Sequence, residues 1–381
     1  MSIRVAVAAP TVAIAGDRVL SIAGFVGLLT AMAIGGWGVQ WDIRWHLLIG
    51  RDSFWIAPHV MTYSGVTAMV LASFGMLAWT SWRARRGARD GGTVRAAGIT
   101  GTRGWHFAAW SIALTVLAAP IDDLWHRLFG LDVTLWSPPH LLGLAGGVLN
   151  AAACWVIARE VYPAGTRARE VALVLGGALV TGGLSVALQP SIRMAYLYGG
   201  VRFFTYGMLG ALLLPLGLVV TARLARARTA PVLALLVMLA FGFAGSAVAH
   251  AGFAWVRPRS FIAEEIAKDP TSPIAISHEI ARKNGAAPGA ANLRALLVAL
   301  LATVALVIVD ARRRPVAASI ASGLTLGAGV GLALARQPAF AQSLPSATET
   351  VVALVVTALA AAAGGALAAR ASDRLSAEPA P

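Results

Sequence analysis

Residues 41–59 read WDIRWHLLIGRDSFWIAPH, and residues 122–140 read DDLWHRLFGLDVTLWSPPH. Both stretches separate long apolar segments, and both follow one pattern: an Asp, a His four residues later, and a second His beyond an intervening loop. In the first these are Asp42, His46 and His59; in the second, Asp122, His126 and His140. Side chains four apart stand one above the other on a helix face, so each Asp/His pair can address a common object. The later His follows Pro58 in one case and Pro138 and Pro139 in the other, and proline suits the first turn of a new helix. The end of one helix and the start of the next then converge with two imidazoles and one carboxylate. That donor set suits a non-haem iron facial triad, copper, or a catalytic zinc with an open position.

The surroundings fix the class. The chain has 381 residues, 58% hydrophobic and 13% charged, with a mean hydropathy of +0.73, which describes an all-α polytopic helical membrane protein. Apolar segments predict about ten transmembrane helices, near 19–41, 59–82, 105–127, 139–158, 169–188, 202–222, 230–253, 292–310, 315–335 and 350–370. Each has roughly the 20 residues that a hydrocarbon core requires. Residues 1–18 lack the pattern of a cleaved signal peptide, although the first span can itself act as an uncleaved one. Cys154 stands alone, which excludes a disulfide framework and a thiolate cluster within one chain.

The formal charge of +14 does not point to nucleic acid, because the arginines are confined to short loops. Arg83, Arg85, Arg86, Arg89, Arg95 and Arg103 crowd one; Arg159, Arg167 and Arg169 a second; Arg223, Arg226 and Arg228 a third; Arg312, Arg313 and Arg314 a fourth. In a ten-span alternation all four fall on one side. The positive-inside rule then expects a multi-pass inner (plasma) membrane protein with both termini cytoplasmic and both Asp/His/His sets at the periplasmic or external face.

Span, motif, span occurs twice within residues 1–160, so two parallel helical hairpins are expected to form an internal repeat and a metal-binding membrane domain. Residues 161–253 and 292–370 are rich in Gly and Ala, as close helix packing in lipid favours, and read as scaffold. Residues 371–381 read as a cytoplasmic tail. Residues 254–291 form the longest loop, with Glu264, Glu265, His278 and Glu279 in two amphipathic turns. A lid, a docking surface and an interfacial helical loop all remain open for it.

Ionisable groups at membrane depth cost on the order of 2.5–3.5 kcal/mol each for Asp, Lys or Arg and are usually kept for function. Six such groups in two matched triplets therefore read as metal ligands. Asp52 and Asp132 are expected either to orient an imidazole or to pair with Arg51 or Arg127. His106 reads as an interfacial residue, and His250 as an extra ligand only if its helix turns toward a site. Trp45, Phe54, Trp55, Trp125 and Trp136 fit either a pocket lining or an aromatic belt.

The first motif resembles the metal-binding stretch of the C subunit of particulate methane and ammonia monooxygenases, the copper membrane monooxygenases. That stretch has the form D-x-x-W-H, four residues, R-D-[ST], then a second His separated from the first by a twelve-residue gap; Asp42, Trp45, His46, Arg51, Asp52, Ser53 and His59 match it. The family's second site is an Asn, a His four on, and a His after thirteen more residues. Asp122, His126 and His140 keep the spacing but replace Asn with Asp, which shifts preference from copper toward iron or another divalent ion. The similarity spans residues 19–160. It implies Asp42, His46 and His59 as ligands of one metal, O2 and a small apolar substrate, and partner subunits of the monooxygenase type in a multi-subunit, often trimeric assembly. This sequence has no soluble cupredoxin-like domain of its own.

Two further functions use the same residues. One is non-catalytic handling of copper or another divalent ion, although spans five to ten carry no central acidic or His residue to continue a path. The other is zinc hydrolysis, which lacks a Glu beside the ligands. Beyond the chain itself, the lipid bilayer and copies of the same chain are the expected partners.

Overall fold

The computed structural model describes residues 15–50, 53–88, 91–129, 134–290 and 292–376. Among them are thirteen α-helices and one β-hairpin. Nine helices are long and apolar enough to cross a membrane. These are α1 (Ala15–Leu48), α2 (Ala57–Arg85), α3 (Arg103–Phe129), α4 (Pro138–Val161), α5 (Arg167–Leu188) with the short α6 (Ser191–Tyr198) behind it, α7 (Thr205–Ala225), α8 (Ala230–Val256), α12 (Pro315–Ala335) and α13 (Ala347–Ser376). The small helices α9 (Ile262–Lys268) and α10 (Pro273–Lys283) fill the long loop.

The expected eighth span is α11 (Leu293–Val309), which is shorter than the others at 17 residues. At 1.5 Å per residue it spans about 26 Å, slightly less than the roughly 30 Å hydrocarbon core. Its C-cap Asp310 adopts φ +59°, and the chain turns back through Arg312–Arg314 into α12. The expected helix ends move outward elsewhere. α1 continues seven residues past 41, which puts Asp42 and His46 on the shared helix face that their spacing predicts.

One element was not expected. In the arginine-rich loop after α2, β1 (Thr93–Ala96) pairs antiparallel with β2 (Ile99–Thr102). Ala97 and Gly98 both take positive φ, the geometry of a type I′ turn. Ala-Gly is a weak sequence signal for that turn, and the loop's charge hid the Val, Ile and Thr that favour strand. The hairpin joins its neighbours: Ser81 pairs with the backbone of Thr100, and the Glu160 carboxylate accepts from Gly104 N–H and the Thr102 hydroxyl at the start of α3.

Helices α1 and α2 pack as one antiparallel pair and α3 and α4 as another, both through glycine. An added Cβ at Gly65 would fall on the backbone of Gly35 and within 2.9 Å of the Ala31 carbonyl. An added Cβ at Gly146 would come within 2.7 Å of Thr115 N and 2.9 Å of the Ser111 carbonyl. The registers coincide: each glycine lies six residues after the second His of its motif, and meets the residue seven before that motif's Asp. Close backbone approach through small residues is how helices associate in lipid, and the scaffold uses it too, as at Gly207 against Gly327.

The arginine-bearing helix ends gather at the end of the bundle away from both motifs. Arg159 donates to the Leu375 and Ser376 carbonyls, Arg223 to Ser372 and Asp373, and Arg228 to the Val307 and Ile308 carbonyls. Cationic side chains on the free carbonyls of a helix C-terminus also complement its dipole.

Candidate metal centres

Asp42 and His46 occupy the last two turns of α1, and His59 enters from the first turn of α2, which opens on Ala57 and Pro58. Asp122 and His126 occupy the end of α3, and His140 the first turn of α4, opened by Pro138 and Pro139. Each triplet is thus assembled by a helix end and the next helix start, and all six side chains are partly buried.

The two geometries agree closely. Asp42 Oδ1 lies 3.7 Å from His46 Nε2 and 3.1 Å from His59 Nε2. Asp122 Oδ1 lies 3.7 Å from His126 Nε2 and 3.4 Å from His140 Nε2. Within each triplet one ligand atom from every residue lies within 4.8 Å of the others. Donors about 2.1 Å from a shared ion, at angles between octahedral and trigonal, stand about 3.0–3.6 Å apart. All four N–O separations fall in or next to that interval, so the residues present fit a bound divalent ion.

His140 is held for the task. Its Nδ1 lies 2.8 Å from the Thr134 carbonyl, which can only accept, so Nδ1 carries a proton and Nε2 is the ring nitrogen that faces Asp122. Donation of the second ring N–H to a carbonyl is the usual support for a metal-ligating imidazole.

Both triplets open onto one cavity of about 1600 Å³ among α1, α2, α3, α4, α5 and α8. Its walls are mainly aliphatic, with Met32, Met69, Ile112 and Leu179 among them. The aromatic residues considered for a pocket lie elsewhere. Trp45 is buried and stacks on Phe253, Trp136 donates to the Ala187 carbonyl, and Phe54 and Trp55 are exposed. Asp52, Asp132 and Arg51 lie outside the described residues, and Arg127 pairs with Asp123 at 2.7 Å. His250 is exposed on α8 away from the cavity, whereas His106 is buried at the start of α3 rather than interfacial.

The long loop contributes what the motifs alone did not reveal. Three successive carbonyls at the end of α1 are taken up by it: Leu47 by His278 Nε2, Leu48 by the Ser260 hydroxyl and Ile49 by Phe261 N–H, each at 2.7 Å. Glu265, Lys268 and Asp269 of α9 and its exit border the cavity. Gly50, at φ +84°, leaves room for Glu265 and Ile262; a side chain there would collide with both. The sequence hint was the amphipathic pattern of two short segments, one around Glu264 and Glu265 and one around His278 and Glu279.

Each of these hydrogen bonds contributes about 0.5–1.5 kcal/mol. Ser260→Ala combined with His278→Ala should therefore speed local opening of α9–α10 roughly tenfold, read as amide hydrogen exchange. Unchanged exchange in that segment would show that the loop is held by other contacts.

Compared with protein-family models, with curated proteins and with solved structures, the chain matches none. The likeness to copper membrane monooxygenases thus rests on the two motif spacings alone.

Proposed function

We propose that the chain is a membrane metalloprotein resembling the C subunit of copper membrane monooxygenases, activating O2 at one or both triplets to hydroxylate a small apolar substrate. The observation that carries this reading is that two triplets of matching geometry face one aliphatic cavity. A copper or iron ion held by Asp42, His46 and His59, or by Asp122, His126 and His140, would supply redox chemistry toward O2 through positions that three protein donors leave open.

The chain's own residues do the rest. One carboxylate per site offsets part of the ion's charge, and the Thr134 carbonyl keeps the His140 ring in one tautomer and orientation. The apolar part of the cavity wall, around Met32, Met69, Ile112 and Leu179, has room for a small apolar molecule. The shared glycine registers support a duplicated hairpin, and the clustering of arginines opposite the triplets supports cytoplasmic termini with the sites on the external side. Further subunits, or copies of the same chain, would complete the assembly, and the electrons would come from an external reductant.

Metal handling without turnover would use the same ligands. The largely apolar lining between the two triplets favours a hydrophobic substrate, with charged Arg44, Arg193, Glu265, Lys268 and Asp269 elsewhere on the wall. Elemental analysis and electron paramagnetic resonance on the purified chain and on Asp42→Ala/Asp122→Ala test the proposal. Copper or iron with nitrogen hyperfine that vanishes in the variant supports it, and O2 uptake with a reductant and a small apolar substrate then completes it. A loaded protein that consumes no O2 with any reductant moves the assignment to handling. The same metal content in the variant removes the sites altogether.

A further inference from the structure

At the arginine-rich end a second cavity, of about 320 Å³, is lined by Arg223, Arg226, Arg312, Arg313, Ser372, Asp373 and Ser376. Four guanidiniums arrive there from two separate segments, the end of α7 and the α11–α12 turn, and the end of α13 forms the remaining wall. Membrane topology asks only that such residues stay on one side; it does not ask that they converge on one cleft.

Two of the four are committed to the protein. Arg223 donates to Ser372, Asp373 and the Arg312 carbonyl, and Arg312 makes a two-pronged pair with Asp310 and donates to the Arg226 carbonyl. The Arg312 guanidinium holds the Asp310 carboxyl down at about 2, so that pair stays ionised. The other two are not. Arg313 reaches Asp310 only at 3.7 Å, beyond hydrogen-bond distance, and the Arg226 guanidinium has no hydrogen bond or ion pair among the described residues. Asp310 and Asp373 together leave two of the four positive charges unmatched.

Arg226 is also an unusual choice at its position. It caps α7 in the left-handed conformation, φ +54°, where glycine is the common occupant. The chain keeps a long cationic side chain there, at a helix C-terminus lying level with the ends of α7, α12 and α13.

We propose that this cleft binds a phosphoryl anion, with Arg226 and the loosely paired Arg313 as its available guanidiniums and Arg223 and Arg312 as the fixed wall. Planar guanidiniums match phosphate oxygens two at a time, which lysine cannot do. The anion's position at the ends of three spans puts a phospholipid headgroup within reach, and free phosphate offers the same oxygens.

The test uses the full chain, delipidated in a neutral detergent. Binding is measured calorimetrically with three probes: inorganic phosphate, short-chain phosphatidylglycerol, and short-chain phosphatidylcholine as the zwitterionic control. Saturable binding of phosphatidylglycerol alone identifies a lipid headgroup, and binding of inorganic phosphate identifies a soluble anion; either supports the site. Arg226→Gly with Arg313→Gln should weaken that binding roughly tenfold or more. Arg226→Gly relieves the backbone, so its melting temperature should not fall, which separates lost binding from lost folding. No binding of either anion, or equal binding by the variant and the parent, overturns the proposal.

Discussion

Replacing His46 with alanine should remove one metal equivalent per chain, and His126→Ala should remove the other. Each triplet offers three protein donors, so losing one leaves two, and among the described residues no further Asp, Glu, His or Cys stands in either group to replace it. Loss of a merely supporting group around a metal typically costs about 10- to 100-fold in affinity, so loss of a donor should exceed that. The helices should survive, since alanine is the best helix former and both residues sit in long, continuous helices. Elemental analysis after dialysis, with circular dichroism on the same samples, reads both quantities. Full metal retention in the two variants would end the assignment.

The second large effect is expected where no ligand is touched. Gly65→Val should force α1 and α2 apart, because the new side chain meets backbone atoms of Gly35 and Ala31 rather than movable side-chain ends. Overpacking typically costs about 1–3 kcal/mol, occasionally more, and rigid obstacles put this case at the upper end. The displacement acts six residues from His59, so the first triplet should lose its metal while the second keeps it. Gly146→Val should do the reverse, through Thr115 and Ser111. Thermal unfolding and site-resolved metal analysis distinguish the outcomes. Equal metal loss from both sites in either variant would mean that the two pairs fold as one unit.

The class of fold and the grouping of the six Asp and His residues were legible because both depend on short-range rules. Apolar length predicts membrane helices, and i,i+4 spacing predicts a shared face, so Asp42 with His46 and Asp122 with His126 followed directly. The approach of His59 and His140 needed only proline at a helix start. Long-range features were hidden. The hold of Ser260 and His278 on the end of α1 links residues over two hundred positions apart, and no local pattern encodes it. The aliphatic cavity arises from faces of six helices, each apolar on nearly every side, so periodicity could not say which face looked inward. The aromatic residues stayed open between two readings for a related reason: aromatic character alone does not tell a pocket wall from a belt.

That difference in range has a consequence for biogenesis. The second triplet is supported within its own neighbourhood: His140 leans on Thr134, six residues back, and both emerge from the ribosome together. The end of α1 reaches its final support only when residues 260–278 have been synthesised and α8 has been inserted. The Thr134 support of His140 is therefore in place before residues 260–278 reach the end of α1.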